Sequence, residues 1–451
     1  MPPKAENVPV DLHDKLIAAL ECEAFDDARS VLGTMSAADV AHLLECSPPK
    51  SRNLIWQMIA LEQEGEILHE LPDDIRSKFL SDMDTSEVLA ITEGLETDDI
   101  ADILQQLPNH EIAEVLQQMD LQDRQRVEQV LTYPKDTAGG LMNTDTITVR
   151  SNISVDVVLR YLRRHREIPD ITDSVIVVDR GDIYIGLLPL STILVSDPRA
   201  QVCEIMQQDL QAIPAHMSDS KVAQLFERNN WVSAPVIDED GRLAGRITID
   251  DVVDVIREDA DHSLMSMAGL DEDEDTFAPA LKTTPRRAIW LGINLITAFI
   301  ASAVINIFEG TIDKVVTLAI LMPVVASMGG VAGSQTLTVV VRGMALGHID
   351  RNNSRWLLNR EFLVSIFNGS LWALVAAVAA SLWFSDWLIG AIMAMAMAIN
   401  LVVAAMAGTL IPLTLKRMGI DPALAGSVVL TTVTDVVGFM SFLGLATVFY
   451  A

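Results

Sequence analysis

The sequence predicts a multidomain membrane protein. It has an α-helical, superhelical N-terminal domain over 1–135, an α/β tandem pair over 136–259, a connecting helix over 260–285 and a five-helix transmembrane domain over 286–451. Three observations predict this. Half of the 451 residues are hydrophobic although the formal net charge is −30, five long stretches are almost free of charge, and one segment repeats itself.

The charge is unevenly divided. From Arg286 to Ala451 there are seven Asp/Glu and nine Lys/Arg, whereas the preceding residues hold 55 acids and 23 bases, a balance of −32. An acidic soluble portion therefore precedes an apolar one. Such a charge excludes nucleic acid and anionic lipid surfaces as partners of the soluble portion, because both need basic surfaces. It suits cations, although most of these acids serve as a solvated surface. Cys22, Cys46 and Cys203 lack metal-ligand spacing and fit a reduced cytoplasmic setting. No apolar run follows a basic start, so no cleavable signal peptide is expected.

The apolar stretches are Ala288–Phe308, Val315–Val341, Phe362–Phe384, Trp387–Leu415 and Pro422–Ala451. Each exceeds the roughly 20 residues that cross a bilayer as a helix. Arg286, Arg287, Arg342, Arg351, Arg355, Arg360, Lys416 and Arg417 cluster in connectors on one side. The other side holds Lys314, Glu309, Asp313 and Asp386. The positive-inside rule then places the N-terminal portion in the cytoplasm and Ala451 outside, in the cytoplasmic (inner) membrane. Trp290, Trp356, Trp383 and Trp387 lie near predicted span ends, as interfacial anchors do. In the second span, Gly329-Gly330-Val331-Ala332-Gly333-Ser334-Gln335 either lets helices approach closely or opens the helix so that carbonyls line a cavity.

Asp435 is the one ionisable residue in these stretches, within Thr434-Asp435-Val436. A carboxylate at the bilayer centre costs roughly 2.5–3.5 kcal/mol on insertion scales, so it faces a water-filled path or a partner. No Lys, Arg or His lies in the other spans to pair with it, and a proton relay wants more than one titratable group. Thr431 and Gly438 share its helical face and predict a polar, open surface. One carboxylate per chain half-neutralises a divalent ion, and two around the twofold axis of a homodimer balance it. Mg²⁺ keeps its waters, so such a site would hold a hydrated ion.

The cytoplasmic portion reads as short amphipathic helices from about Leu16 to Tyr133, with Ile100–Leu104 and Ile112–Leu116 twelve residues apart. The next segment repeats strand–helix–strand–turn–strand–helix, with Ser174–Asp179 and Ile183–Leu188 answered by Ala234–Asp238 and Leu243–Gly245. This resembles a tandem cystathionine-β-synthase-type (CBS) pair, a module that often binds adenine nucleotides. Asp251, Asp254 and Glu258 then share one helical face, where like charges repel and a hard divalent cation relieves them. The alternative is a solvated acidic helix. Neither portion shows a nucleophile–base pair or a nucleotide-hydrolysis motif, so no enzyme is expected.

Ala138-Gly139-Gly140-Leu141-Met142, Asp250–Val255, Gly329–Gln335, Asp421-Pro422-Ala423-Leu424 and Thr434-Asp435-Val436 together make the chain similar to the MgtE Mg²⁺ channels, over essentially its whole length. The resemblance implies a homodimeric Mg²⁺ pore with Asp435 as its carboxylate, closed when cytoplasmic Mg²⁺ bridges acidic surfaces. It implies Asp98, Asp251, Asp254, Asp259 and Asp421 as gating carboxylates, the segment near 260–281 as a plug, and ATP as a possible ligand of the CBS pair. Two departures stand out. Val331 replaces an Asn usual after the glycine pair, and His262 stands where the family tends to have an acid. The rival expectations are an H⁺- or Na⁺-coupled divalent metal transporter and a membrane-anchored nucleotide sensor.

Overall fold

The computed structural model describes residues 25–164, 168–169, 171–209, 211–270, 274–349 and 353–450. The expected helix starting near Leu16, Cys22, the acids at 271–273, Arg351 and Ala451 lie outside them. The chain divides into two compact units, 1–258 with 273–279, and 259–272 with 280–451.

In the first unit, nine helices among the described residues run from Phe25 to Val130, seven to ten residues each. So short a helix is marginal alone and is held by packing its apolar face. Leu44, Ile55, Leu68, Leu80, Ile103 and Leu104 supply that core. Caps fix the starts: Ser36 accepts from the Asp39 amide, and Asp84 and Glu87 form a capping box. The helices α7 (Thr97–Gln105), α8 (Asn109–Gln118) and α9 (Leu121–Val130) follow the twelve-residue spacing, with Pro108 and Asp120 just before two of them.

Two three-stranded sheets follow, β1–β2–β3 (Thr148–Arg150, Ser174–Val178, Tyr184–Pro189) and β4–β5–β6 (Ile213–Pro214, Ser233–Ile237, Leu243–Thr248). In each, the first pair is parallel and the second antiparallel. The repeat extends to irregularities, since a register shift falls at Val177/Val178 and again at Val236/Ile237. Gly186 and Gly245 are also equivalent. A Cβ there would meet the carbonyl oxygens of Gln207 and Asn143 at 2.4 and 2.7 Å, so only glycine admits the neighbouring strand.

The helical domain is docked on this pair. Asn143 Nδ2 donates to Glu96, Thr144 Oγ1 lies 3.2 Å from Thr97 Oγ1, and Ala101 and Val130 join the core of the second module.

One helix, α14 (Ile249–Met267), closes the second module and runs through the expected boundary at 260. It ends before Gly269, whose φ of 74° suits glycine, and the next helix among the described residues begins at Ala280. Among its described residues, the segment expected as one connecting helix over 260–285 is therefore the end of α14, non-helical residues at 268–270 and 274–279, and the start of the next helix.

In the second unit the spans are Ala280–Ile307, Thr317–Ala345, Ser354–Phe384, Trp387–Arg417 and Pro422–Tyr450, each long and apolar enough to cross a membrane. The fourth is the most enclosed, and Ile392, Ala396 and Ala404 are fully buried on it. Thr311 Oγ1 bonds Thr447 Oγ1 and Tyr450 donates to Asp386, so the first–second and third–fourth connectors share an end with the close of the fifth span.

Candidate functional site

Asp435 sits near the middle of the fifth span, partly exposed, and among the described residues its carboxylate has no hydrogen-bond partner. Its neighbours differ from expectation. Gly438 is buried, and a Cβ there would lie 2.8 Å from Asn400 Nδ2. It marks a close helix crossing, so the open face predicted through Gly438 is corrected to the Thr431 side, where Thr431 is exposed. Thr434 is fully buried and donates to the Thr431 carbonyl.

The glycines of the second span act in packing, and the helix stays closed. Gly329 lies against Asn400 and Gly333 against Leu430, whereas Gly330 faces open space. On that open side Ser327, Gly330, Val331, Ser334, Gln335, Thr338 and Val339 line a shallow, mostly apolar groove of about 690 Å³, with three hydroxyls and one amide on it.

Two buried polar residues of the spans escaped the sequence reading. Asn400 is wholly buried and donates to the Val325 carbonyl at 2.9 Å, with its Oδ1 unpartnered. Glu361 lies inside the third helix, buried, 3.0 Å from Arg360 and 3.4 Å from Thr336. Asp435 is thus not the only acid inside a spanning helix. The signal was present in Arg360-Glu361, but those two charges read as a connector.

In the first unit the structure brings Asp98 and Asp251 together. Asp98, in the first turn of α7, is 6% exposed and its Oδ1 has no partner. Burial, then the charges of Asp251, Asp99 and Glu96, hold its carboxyl well above the ordinary range. Asp251 opens α14 and accepts from Thr248; burial first, then Asp250, raises it to about 7. A second acidic group has a cation of its own: Lys135 lies 3.1 Å from Asp73, and its charge also acts on Asp102 and Glu258. The charges that act most on Asp98 are all negative. A buried carboxylate with a free oxygen beside a second carboxylate is a donor set for a hard cation. Asp254 is partly exposed and lies 3.4 Å from Arg257.

In the second unit Asp421 caps the fifth span through the amides of Ala423 and Leu424, with His262 Nε2 3.5 Å away. Asp259 is exposed. Among the described residues no three His, Cys, Asp or Glu side chains converge tightly enough to strip and hold a bare ion.

The profile of a divalent cation transporter family, MgtE, matches residues 322–445, that of the MgtE intracellular N domain 35–136, and that of the CBS domain 138–197 and 202–258. The magnesium transporter MgtE of Thermus thermophilus is 30% identical over 73% of each chain. This chain belongs to the MgtE family. Another magnesium transporter MgtE, from Bacillus subtilis, is 27% identical over 96% of each chain. Among solved structures, the cytosolic domain of the Mg²⁺ channel MgtE in complex with ATP is 30% identical, covering 54% of this chain and 99% of that one, with a TM-score of 0.49. The family is one of Mg²⁺ transporters and not an enzyme class. The family matches cover the helical N-domain, the CBS pair and residues 322–445 of the membrane region, which holds the second to fifth spans.

Proposed function

We propose that this chain is a Mg²⁺-selective channel, with Asp435 as pore carboxylate, closed by Mg²⁺ bound to acidic cytoplasmic surfaces. The observation that carries this is Asp435, a mid-span carboxylate left without a partner. A desolvated charge there is costly unless an ion path solvates it. In a homodimer two such carboxylates match a divalent charge. Water-mediated contact keeps binding weak enough for the ion to leave.

Gating follows from Asp98 and Asp251. Without cations their repulsion opposes docking of the helical domain, and a bridging Mg²⁺ relieves it. Asp254, Asp259 and Asp421 add further carboxylates. A ligand shifts an equilibrium only by its differential affinity for the two states. The CBS pair is the place for an adenine nucleotide such as ATP. The end of the second unit that carries Arg342, Arg355, Arg360, Lys416 and Arg417 faces the cytoplasm of an inner membrane, which leaves the end of the fifth span outside.

The test is Mg²⁺ uptake into liposomes holding the purified full chain, with no H⁺ or Na⁺ gradient. Wild-type uptake that is lost in Asp435→Ala supports a passive pore. Uptake only under an imposed gradient would replace it with a coupled transporter, and uptake unchanged in Asp435→Ala would remove Asp435 from the path.

A further inference from the structure

The acidic run Asp271-Glu272-Asp273-Glu274-Asp275 ends in a carboxylate with built-in partners. Asp275 is 7% exposed as a residue, and its side chain is only 1% exposed. It takes both arms of the Arg52 guanidinium, at 2.8 Å from Nη1 and 3.1 Å from Nη2. Lys78 Nζ lies 2.9 Å from the same carboxylate, and the Phe277 amide donates to it at 2.9 Å. Arg52 is itself built in, since its Nε donates to the Leu44 carbonyl and its residue is 2% exposed. Burial alone would raise the Asp275 carboxyl, but these donors outweigh it and hold the group well below the carboxylate range. Paired, bidentate and buried is the geometry of an ion pair whose loss leaves an uncompensated charge.

The position of this pair matters more than its strength. Arg52 and Lys78 belong to the helical domain, on the helices Pro49–Trp56 and Asp73–Asp82. Asp275 belongs to the short strap between α14 and the first span. Ala280, where that span's helix begins, is five residue steps on, and Met267, where α14 ends, is eight steps back. Five residues reach about 18 Å at full extension and eight reach about 28 Å. The helical domain therefore cannot leave its seat by more than such distances without breaking the pair or dragging the strap.

We propose that Asp275 latches the helical domain to the strap that enters the first span, so that this domain acts on the span through a covalent tether as well as through cation bridges. The latch needs no Mg²⁺. It stabilises the same docked form in which Asp98 and Asp251 repel, so it sets how much Mg²⁺ closure requires. The inference rests on the Mg²⁺-gating reading for its direction and on the ion pair for its existence.

The test uses the full chain in planar bilayers with graded cytoplasmic Mg²⁺, together with hydrogen exchange of the Ala278 amide, which donates to the Asp275 carbonyl at 2.9 Å. Asp275→Ala is expected to raise the Mg²⁺ concentration for half-closure fivefold or more, to speed exchange at Ala278, and to leave unitary conductance unchanged. Lys78→Met removes the half-exposed partner and keeps Arg52 on Asp275. It should shift the midpoint in the same direction by less, and it covers the case in which an unpaired Arg52 disturbs the fold. Slow exchange retained in Asp275→Ala, or a midpoint within twofold of wild type once Ala278 is released, overturns the latch. A wild type indifferent to Mg²⁺ would sink the gating reading instead. The latch would then be decided by open probability in Mg²⁺-free solution, where no change in Asp275→Ala overturns it.

Discussion

Protons should imitate Mg²⁺ at the junction of Asp98 and Asp251. The Asp251 carboxyl is raised from an ordinary value of 3.8 to about 7 in the docked form, by burial and then by Asp250. A group with a higher pKa in the docked form takes up a proton on docking. Its contribution is thus complete at low pH and fades as pH rises through about 7. Between pH 8 and pH 6, a group titrating near 7 when docked and near 4 when free changes the docking equilibrium about tenfold, roughly 1.4 kcal/mol. Asp98 is raised as well, and the two titrate as a pair, so the profile belongs to both. The assay is energy transfer between dyes on Gln118→Cys and on the exposed Cys203, with Cys22 and Cys46 replaced by Ser, in Mg²⁺-free buffer. Transfer should rise on acidification in wild type and lose its pH dependence in Asp251→Asn. A flat wild-type profile from pH 6 to 8, or an unchanged slope in Asp251→Asn, refutes the electrostatic account of docking.

Three more outcomes follow from named contacts. Asp251→Ala combined with Asp254→Ala should leave the pore open at higher cytoplasmic Mg²⁺, read in patch recordings; unchanged inhibition would remove these carboxylates from gating. Gly329→Ala places a Cβ 2.2 Å from Asn400 Nδ2 and should cost about 1–3 kcal/mol by overpacking, whereas Gly330→Ala meets nothing and should leave the melting temperature in place. Equal melting shifts for the two would contradict the packing described for the second span. Val331→Asn, in the exposed groove of the second span, should change the Mg²⁺ uptake rate without moving the melting temperature, and an identical rate would take this position out of the ion path.

The architecture was legible because its signals are local and repeated. Five uncharged stretches, a twelve-residue helical spacing and a doubled strand pattern each survive without tertiary information. The site was legible only in part. Asp435 stood out because an acid in an apolar run has no bland explanation. Asp98 was named only through the family resemblance, since Thr97-Asp98-Asp99 is by itself an ordinary helix start, and only burial with an orphaned oxygen sets it apart. Asp275 was hidden in a run of acids, because its partners Arg52 and Lys78 lie 223 and 197 residues away. Asn400 and Glu361 were lost for a related reason: nothing in the local sequence says which face of an apolar helix is enclosed. The connector misled because acidic helical periodicity continues past Glu258, while the break depends on one left-handed glycine, Gly269.

The number of cation sites decides how sharply such a channel can close. Moving an equilibrium from 1:99 to 99:1 requires about 5.5 kcal/mol of differential binding, a factor of about 10⁴. A hydrated ion held by two carboxylates that discriminates about tenfold between states supplies about a quarter of that. Two sites per chain in a twofold assembly would suffice, one at Asp98 and Asp251 and one at Asp421. At the second place, however, a carboxylate is met by His262, 3.5 Å away, and an imidazole offers a hard divalent ion little. In the proposed dimer the bridging energy would then fall by half, and closure should be spread over a wide Mg²⁺ range. Restoring an acid with His262→Glu makes two carboxylates face each other there. It should steepen the closure curve and raise its apparent Hill coefficient, with unitary conductance unchanged. A curve of unaltered steepness would mean that Asp421 takes no part in sensing Mg²⁺ and that the capping of the fifth span is its whole role.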